Sequence, residues 1–209
     1  MKTKFVATIV ALTMSTTLMG QAAEGGYFAG GSFNFSISSS SSTSGNTTID
    51  GPTTTRFGIN PIAGMFLDDN LAIGAGVGFN LNSQKTPMGD NDVTVTQTVF
   101  SLSPFARYYM GAENVGLYAE AGIGVGFGGS SVKSGNTTTD GPSIFNFDIG
   151  VVPGVYYYIA PGLSLEARFG FLGLERSQQK DDNDDKEVQT DFGLTLNPSS
   201  LSFGMTYHF

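Results

Sequence analysis

The chain of 209 residues is poor in charge, with Asp, Glu, Lys and Arg making up 13%, and rich in Gly (29), Phe (17) and Tyr (8). Ten basic against 18 acidic residues give a net charge of −8, which excludes nucleic acid as the main partner. With no Cys and one histidine, His208, disulfide frameworks, thiol catalysis and Cys- or His-rich metal sites are excluded, and Ser–His catalysis has little to build on.

Residues 1–22 read as a cleaved secretory signal. Lys2 and Lys4 precede an apolar run over residues 5–14, and Gly20-Gln21-Ala22 places small residues at −3 and −1 of the cut. That run is too short to span a bilayer as a helix, which takes about 20 residues. No later stretch qualifies either, because residues 149–161 are broken by Gly150, Pro153 and Gly154. A domain over 23–209 that enters a membrane must therefore do so as a closed β-barrel, since hydrocarbon tolerates no unpaired backbone.

Eight runs alternate with period two, the pattern of strands with two different faces. The first sets Tyr27, Ala29, Phe33, Phe35 and Ile37 against Gly30, Ser32, Asn34 and Ser36. The second sets Phe57, Ile59, Ala63, Met65 and Leu67 against Arg56, Gly58, Asn60 and Gly64. In the third, Leu71, Ile73, Ala75, Val77, Phe79 and Leu81 oppose a series of small residues and Asn. The fourth opposes Phe100, Leu102, Ala106 and Tyr108 to Ser101, Ser103, Arg107 and Tyr109. The fifth opposes Leu117, Ala119, Ala121, Ile123, Val125 and Phe127 to Tyr118, Glu120 and three glycines. The sixth opposes Phe145, Phe147, Ile149, Val151, Val155 and Tyr157 to Asn146, Asp148, Gly150 and Gly154. The seventh sets Leu163, Leu165, Ala167, Phe169 and Phe171 against Ser164, Glu166, Arg168 and Gly170. The eighth ends on Phe203, Met205, Tyr207 and Phe209, and its earlier half (Phe192, Leu194, Leu196) has the opposite parity, which predicts a bulge near residues 197–200.

Connections alternate in length. Short ones fall at 68–70, 111–114 and 160–162, and long polar ones at about 39–53, 83–92, 129–142 and 177–187. Short turns on one side and long flexible loops on the other predict an all-β, eight-stranded, antiparallel up-and-down transmembrane barrel with periplasmic turns and extracellular loops. The apolar face must look outward, because the other carries Arg, Glu, Asp and serial Gly. Residues 44–52 (SGNTTIDGP) recur at 134–142 (SGNTTTDGP), identical at eight of nine positions, which places two loops at one end on opposite sides of the barrel. Pro61, Pro104 and Pro153 recur five to seven residues before short turns, a spacing that suggests regular bulges.

The segments 103–109 (SPFARYY) and 117–124 (LYAEAGIG), with the terminus 204–209 (GMTYHF), resemble those of small outer-membrane barrels of the OmpX, opacity and OmpA-transmembrane type. The resemblance covers 24–209. It implies outer-membrane localisation, contact with lipid and lipopolysaccharide, and insertion by a barrel-assembly machinery that reads Phe203, Met205, Tyr207 and Phe209. It is nearly silent on activity, and, unlike in full-length OmpA proteins, no peptidoglycan-binding domain is expected after the barrel. With no Trp, the interfacial girdles fall to Tyr and Phe.

The inward face offers Arg56, Arg107 and Arg168 with Glu120, Asp148 and Glu166. A turn centred on 111–114 sets Phe105 opposite Glu120 and makes Arg107 a diagonal neighbour of Glu120. With Glu166 and Arg168 at similar depth, a charge network of Arg107, Glu120, Glu166 and Arg168 is expected in the periplasmic half. An eight-stranded wall is only just wide enough for side chains, so a polar plug is the first reading and an ion-conducting constriction the second. Gly74-x-Gly76-x-Gly78 and Gly122-x-Gly124-x-Gly126 lie within strands, unlike a dinucleotide fingerprint, which opens a helix. The run Asp181-Asp182-Asn183-Asp184-Asp185 fails as an EF-hand, with Lys186 where Gly is needed and Phe192 where the final Glu belongs; a solvated acidic loop is the first reading and divalent-cation binding the second. No cofactor, metal or catalytic residue is expected. The expected protein is a monomeric barrel that stabilises the membrane and displays four loops for adhesion to a host or cell surface. A small-solute channel is the alternative, and an outer-membrane enzyme a weak third.

Overall fold

The computed structural model describes residues 25–45, 47–88, 91–111, 114–181, 183–196 and 201–209; the expected signal, 1–22, lies outside them. The described residues form ten strands and no helix: β1 Tyr27–Ser44, β2 Thr47–Phe66, β3 Leu71–Met88, β4 Asn91–Gly111, β5 Val115–Ser134, β6 Thr137–Ala160, β7 Leu163–Arg168, β8 Phe171–Lys180, β9 Lys186–Thr195 and β10 Ser202–His208. β7 and β8 both pair with β6 and are two halves of one wall strand; β10 and β9, which pair with β7 and β8, are the halves of the next. With β1–β10 and β5–β6 pairing, the sheet is a closed eight-stranded antiparallel barrel.

The outer face is built for lipid. Phe35, Phe57, Phe79, Phe100, Phe127 and Phe145 form a row, one per strand from β1 to β6. It runs through the pairs Phe35–Phe57, Phe79–Phe100, Phe100–Phe127 and Phe127–Phe145, with the Phe57 and Phe79 rings 6.1 Å apart. Tyr27, Tyr108, Tyr157 and Phe209 stand about half exposed at the other end. The run from Phe100 to Tyr108 spans about 27 Å along a strand, or about 20 Å across a wall tilted at about 40°. Two aromatic girdles enclosing an apolar band therefore match the height of a bilayer core.

Several expectations change. The predicted loops are mostly strand: β1 and β2 stay paired up to Ser44–Thr47, β3 and β4 to Met88–Asn91, and β5 and β6 to Ser134–Thr137. Ser and Thr, β-tolerant and hydroxylated on both faces, continue the ladder beyond the membrane instead of ending it. Phe171 turns inward, not outward. β6 runs three residue steps from Gly154 to Val151 while its partners run four from Arg168 to Leu172, and Gly170 takes φ +74° in the resulting bulge. Pro61 and Pro104 cause no register shift. The β2–β3 and β4–β5 registers are the same on either side of Pro61 and Pro104, so each proline only omits a ladder bond; Pro153 faces the Gly170 bulge, where its carbonyl accepts from the Phe169 N–H at 3.2 Å. The expected bulge at 197–200 lies outside the described residues. Its flanks, Thr195–Phe171 and Ser202–Arg168, leave seven steps on the last strand against three on its partner.

The sequence repeat is a repeat of structure. A register shift falls between Ser39 and Ser41 and again between Gly129 and Ser131. At each, the extra residue is opposed by a serine whose hydroxyl donates to a proline carbonyl: Ser40 to Pro52 at 3.4 Å, Ser130 to Pro142 at 3.2 Å. The match extends to neighbouring strands, where Lys85 pairs with Thr53 and Lys180 with Ser143.

Candidate functional site

The lumen has two unlike halves. At the end that carries the short turns β4 presents Phe105, Arg107 and Tyr109 inward, all buried. Arg107 stands directly opposite Glu120 and Phe105 opposite Gly122, two residues from the expected register, because the last pair of the β4–β5 ladder is Gly111–Gly116 and not Met110–Val115, which moves the centre of the hairpin by one residue. Arg107 Nε and Nη2 donate to Glu120 Oε2 at 3.0 and 2.6 Å, and Nη1 donates to both oxygens of Glu166 at 2.9 and 3.1 Å and to the Tyr109 hydroxyl at 3.0 Å. Arg168 Nη1 donates to Glu120 Oε1 at 3.2 Å, and the Tyr118 hydroxyl to Glu166 Oε2 at 3.3 Å. The Arg107 guanidinium also lies 4.3 Å from the centre of the Tyr118 ring. Two cations thus balance two anions, and the central one, Arg107, is 0% exposed. Burial of such charges is tolerable because nearly every donor is matched.

Beneath the ions sits an aromatic floor. Phe28, Phe66, Tyr109, Tyr156 and His208 are buried and in ring contact, with Tyr158 packed against them. His208 Nε2 lies 3.3 Å from Ser164 Oγ, which reaches the Thr206 carbonyl at 3.3 Å; both side chains are buried, so this Ser–His contact meets no solvent. The sequence reading missed this floor. A signal for it exists: inward aromatics face glycines on adjacent strands, Phe28 over Gly64, Phe105 over Gly74, Tyr118 over Gly154 and Tyr156 over Gly116. A narrow barrel can hold rings only where the neighbouring position has no side chain.

Of the six inward charges, the structure brings together Arg107, Glu120, Glu166 and Arg168 and leaves two apart. Asp148 is half-buried against the Gly124 backbone, from which it accepts a hydrogen bond. Arg56 is exposed in the upper half, with no ion-pair partner among the described residues. It lines a cup of about 870 Å³, walled by Ser32, Asn34, Ser36, Asn60, Ser101 and Ser103 and floored by Ile62, Phe105, Glu120 and Arg168. Phe203 and Met205 face outward on β10, about half exposed or more, as does the terminal Phe209, while Tyr207 is less exposed.

In the acidic loop, Asp181 Oδ1 accepts from the backbone of Asn183 and Asp185, both at 2.9 Å, and Lys180 pairs with Asp184 at 2.5 Å. That hydrogen bond and the lysine charge hold the Asp184 carboxyl below its ordinary pKa. Among the described residues no group of three or more His, Cys, Asp or Glu is placed to hold a metal ion.

Similar solved structures include the attachment invasion locus protein Ail of Yersinia pestis, 17% identical over 89% of this chain and 99% of that one, with a TM-score of 0.44. OprG of Pseudomonas aeruginosa is 12% identical over 91% of this chain and 99% of that one, with a TM-score of 0.49. Neisserial surface protein A is 20% identical over 90% of this chain and 100% of that one, with a TM-score of 0.40. No curated protein matches the chain in sequence. The family described as "Outer membrane protein beta-barrel domain" matches residues 7–209, nearly the whole length. A barrel with a lipid-suited wall and an ion-paired interior, matched over that span, belongs to this outer-membrane protein β-barrel family.

Proposed function

We propose that the protein is a non-conducting, monomeric outer-membrane scaffold that carries rigid hairpins to the cell exterior for surface contact. The observation that carries this reading is the plug: Arg107, fully buried, is clamped between Glu120 and Glu166 above a packed aromatic floor. Water and ions have no space to pass such an assembly, whereas the opposite end is an open cup. The paired, Ser/Thr-rich extensions of β1–β2 and β5–β6 present the repeated sequence on opposite sides of the barrel, as expected of a contact surface presented twice. Export by the 1–22 signal, insertion through the outward Phe203, Met205, Tyr207 and Phe209, and contact with lipopolysaccharide belong to the same proposal. No catalytic role is assigned.

Planar-bilayer recording of the refolded chain tests the first half. Silence under applied voltage is the expected result. Reproducible unitary steps would establish the channel reading instead. Deleting residues 40–51 and 130–141 together tests the second half: binding of expressing cells to a host-cell layer should fall severalfold, and undiminished binding would remove surface contact from the proposal.

A further inference from the structure

The sequence repeat builds one cleft twice. Around Asp50 a hollow of about 460 Å³ is lined by Ser40, Gly51, Thr53, Lys85 and Asp92. Around Asp140 a hollow of about 500 Å³ is lined by Ser130, Gly141, Ser143, Lys180 and Asp184. Position for position these are the same set. Thr53 pairs across the ladder with Lys85 and Ser143 with Lys180, and each lysine meets an acid, Asp92 at 2.6 Å and Asp184 at 2.5 Å. Both lysines lie outside the repeated segment and at different spacings from it, so the likeness is assembled by the fold and not merely copied in the sequence. The clefts stand four wall strands apart, half a turn around the barrel.

Thr53 and Lys85 share the outward parity of Phe57 and Phe79, and Ser143 and Lys180 that of Phe145 and Leu172. Both clefts therefore open sideways from the wall and not into the lumen. Thr53 lies four residues beyond Phe57 and Ser143 two beyond Phe145, about 10 and 5 Å of height on a wall tilted at about 40°. That is level with the headgroup layer, which extends about 5–8 Å beyond the hydrocarbon.

Charge narrows the ligand. Each lysine already lies against an acid, which fills the place of a bound cation, and the second carboxylate leaves each cleft net negative, unsuited to a phosphate. Asp50 and Asp140 themselves have no ion-pair partner among the described residues. A carboxylate accepts from both hydroxyls of a vicinal diol, and the lysine, with three donors, has more than its acid uses. A neutral, hydroxyl-rich ring fits this set. We propose that the two clefts are a matched pair of sugar sites, each holding a neutral hexose from the headgroup of a glycolipid in the surrounding outer leaflet. The inference names the chemistry of the lipopolysaccharide contact proposed above and rests on that reading only for the source of the sugar.

Digalactosyl diacylglycerol, whose headgroup is two neutral hexoses, is the probe, with phosphatidylglycerol and phosphatidylethanolamine as anionic and amine-bearing controls. Native mass spectrometry of the full chain in detergent micelles counts the lipids bound. The expected result is saturation at two digalactosyl lipids, about tenfold tighter than either control. Asp50→Ala and Asp140→Ala, both at exposed positions, should each leave one bound and together none, with heat-modifiable gel migration unchanged. A double variant that still takes two, or equal binding of all three lipids, would overturn the sugar sites. Tighter binding of either control would assign the clefts to a charged headgroup and overturn them as well. Lipopolysaccharide that fails to bind while the digalactosyl lipid fills both clefts would refute the source and leave the sugar sites standing.

Discussion

Replacing Arg107 with alanine is expected to destabilise the barrel by about 3–5 kcal/mol, enough to abolish folding in a marginal host membrane. The size follows from what stays behind. Glu120 and Glu166 are both buried, and each takes its shortest hydrogen bonds from Arg107, at 2.6 and 2.9 Å. Without the guanidinium, two carboxylates face each other in a region of low polarity, and four aromatic rings lose the cation they surround. Urea titration of the refolded protein in vesicles measures the loss as a lower unfolding midpoint. The double change Arg107→Met and Glu166→Gln should recover most of it, because Glu120 keeps Arg168 as its partner and no orphaned charge remains. An alanine variant that unfolds at the wild-type midpoint would mean that the plug is wet and its charges are solvated.

The second large effect is steric. Gly154 sits where β5, β6 and β7 meet, paired with Tyr118 on one side and Arg168 on the other. A Cβ built there would strike the Tyr118 ring and hydroxyl. Gly154→Val must push that ring from beneath Arg107 and break its bond to Glu166, at a cost of about 1–3 kcal/mol for overpacking plus about 1 kcal/mol for the bond. Gly129→Val is the control: a Cβ there meets nothing within 4 Å, and the midpoint should stay within about 0.5 kcal/mol of wild type. Equal effects of the two substitutions in the same urea titration would show that the lumen is not packed as described.

The architecture was legible because two solvents imprint two faces on every strand. Val77 and Phe79 cannot share a face with Gly78 and Asn80, so strand number, direction and inward residues follow from parity alone. Register was less legible. The β4–β5 pairing differed by two residues because the hairpin is centred one residue later than the turn residues signal, with Gly111–Gly116 as its last pair. Phe171 was misplaced because one glycine at positive φ reverses every side chain after it. The four-residue ion network was readable from charges at matching depth, but the aromatic floor was not, since Phe28 and Phe66 are inward residues on runs judged by their polar members.

The direction in which the apolar wall faces supports everything else, and single cysteines measure it cleanly in a chain with none of its own. Cysteine variants at Val77 and Phe169, outward and 56% and 41% exposed, and at Ser36, within the cup, are refolded into vesicles and treated with a membrane-impermeant maleimide. Val77 and Phe169 should resist labelling until detergent is added, while Ser36 labels at once. Rapid labelling at Val77 and Phe169, in a protein that stays soluble without detergent, would contradict the account.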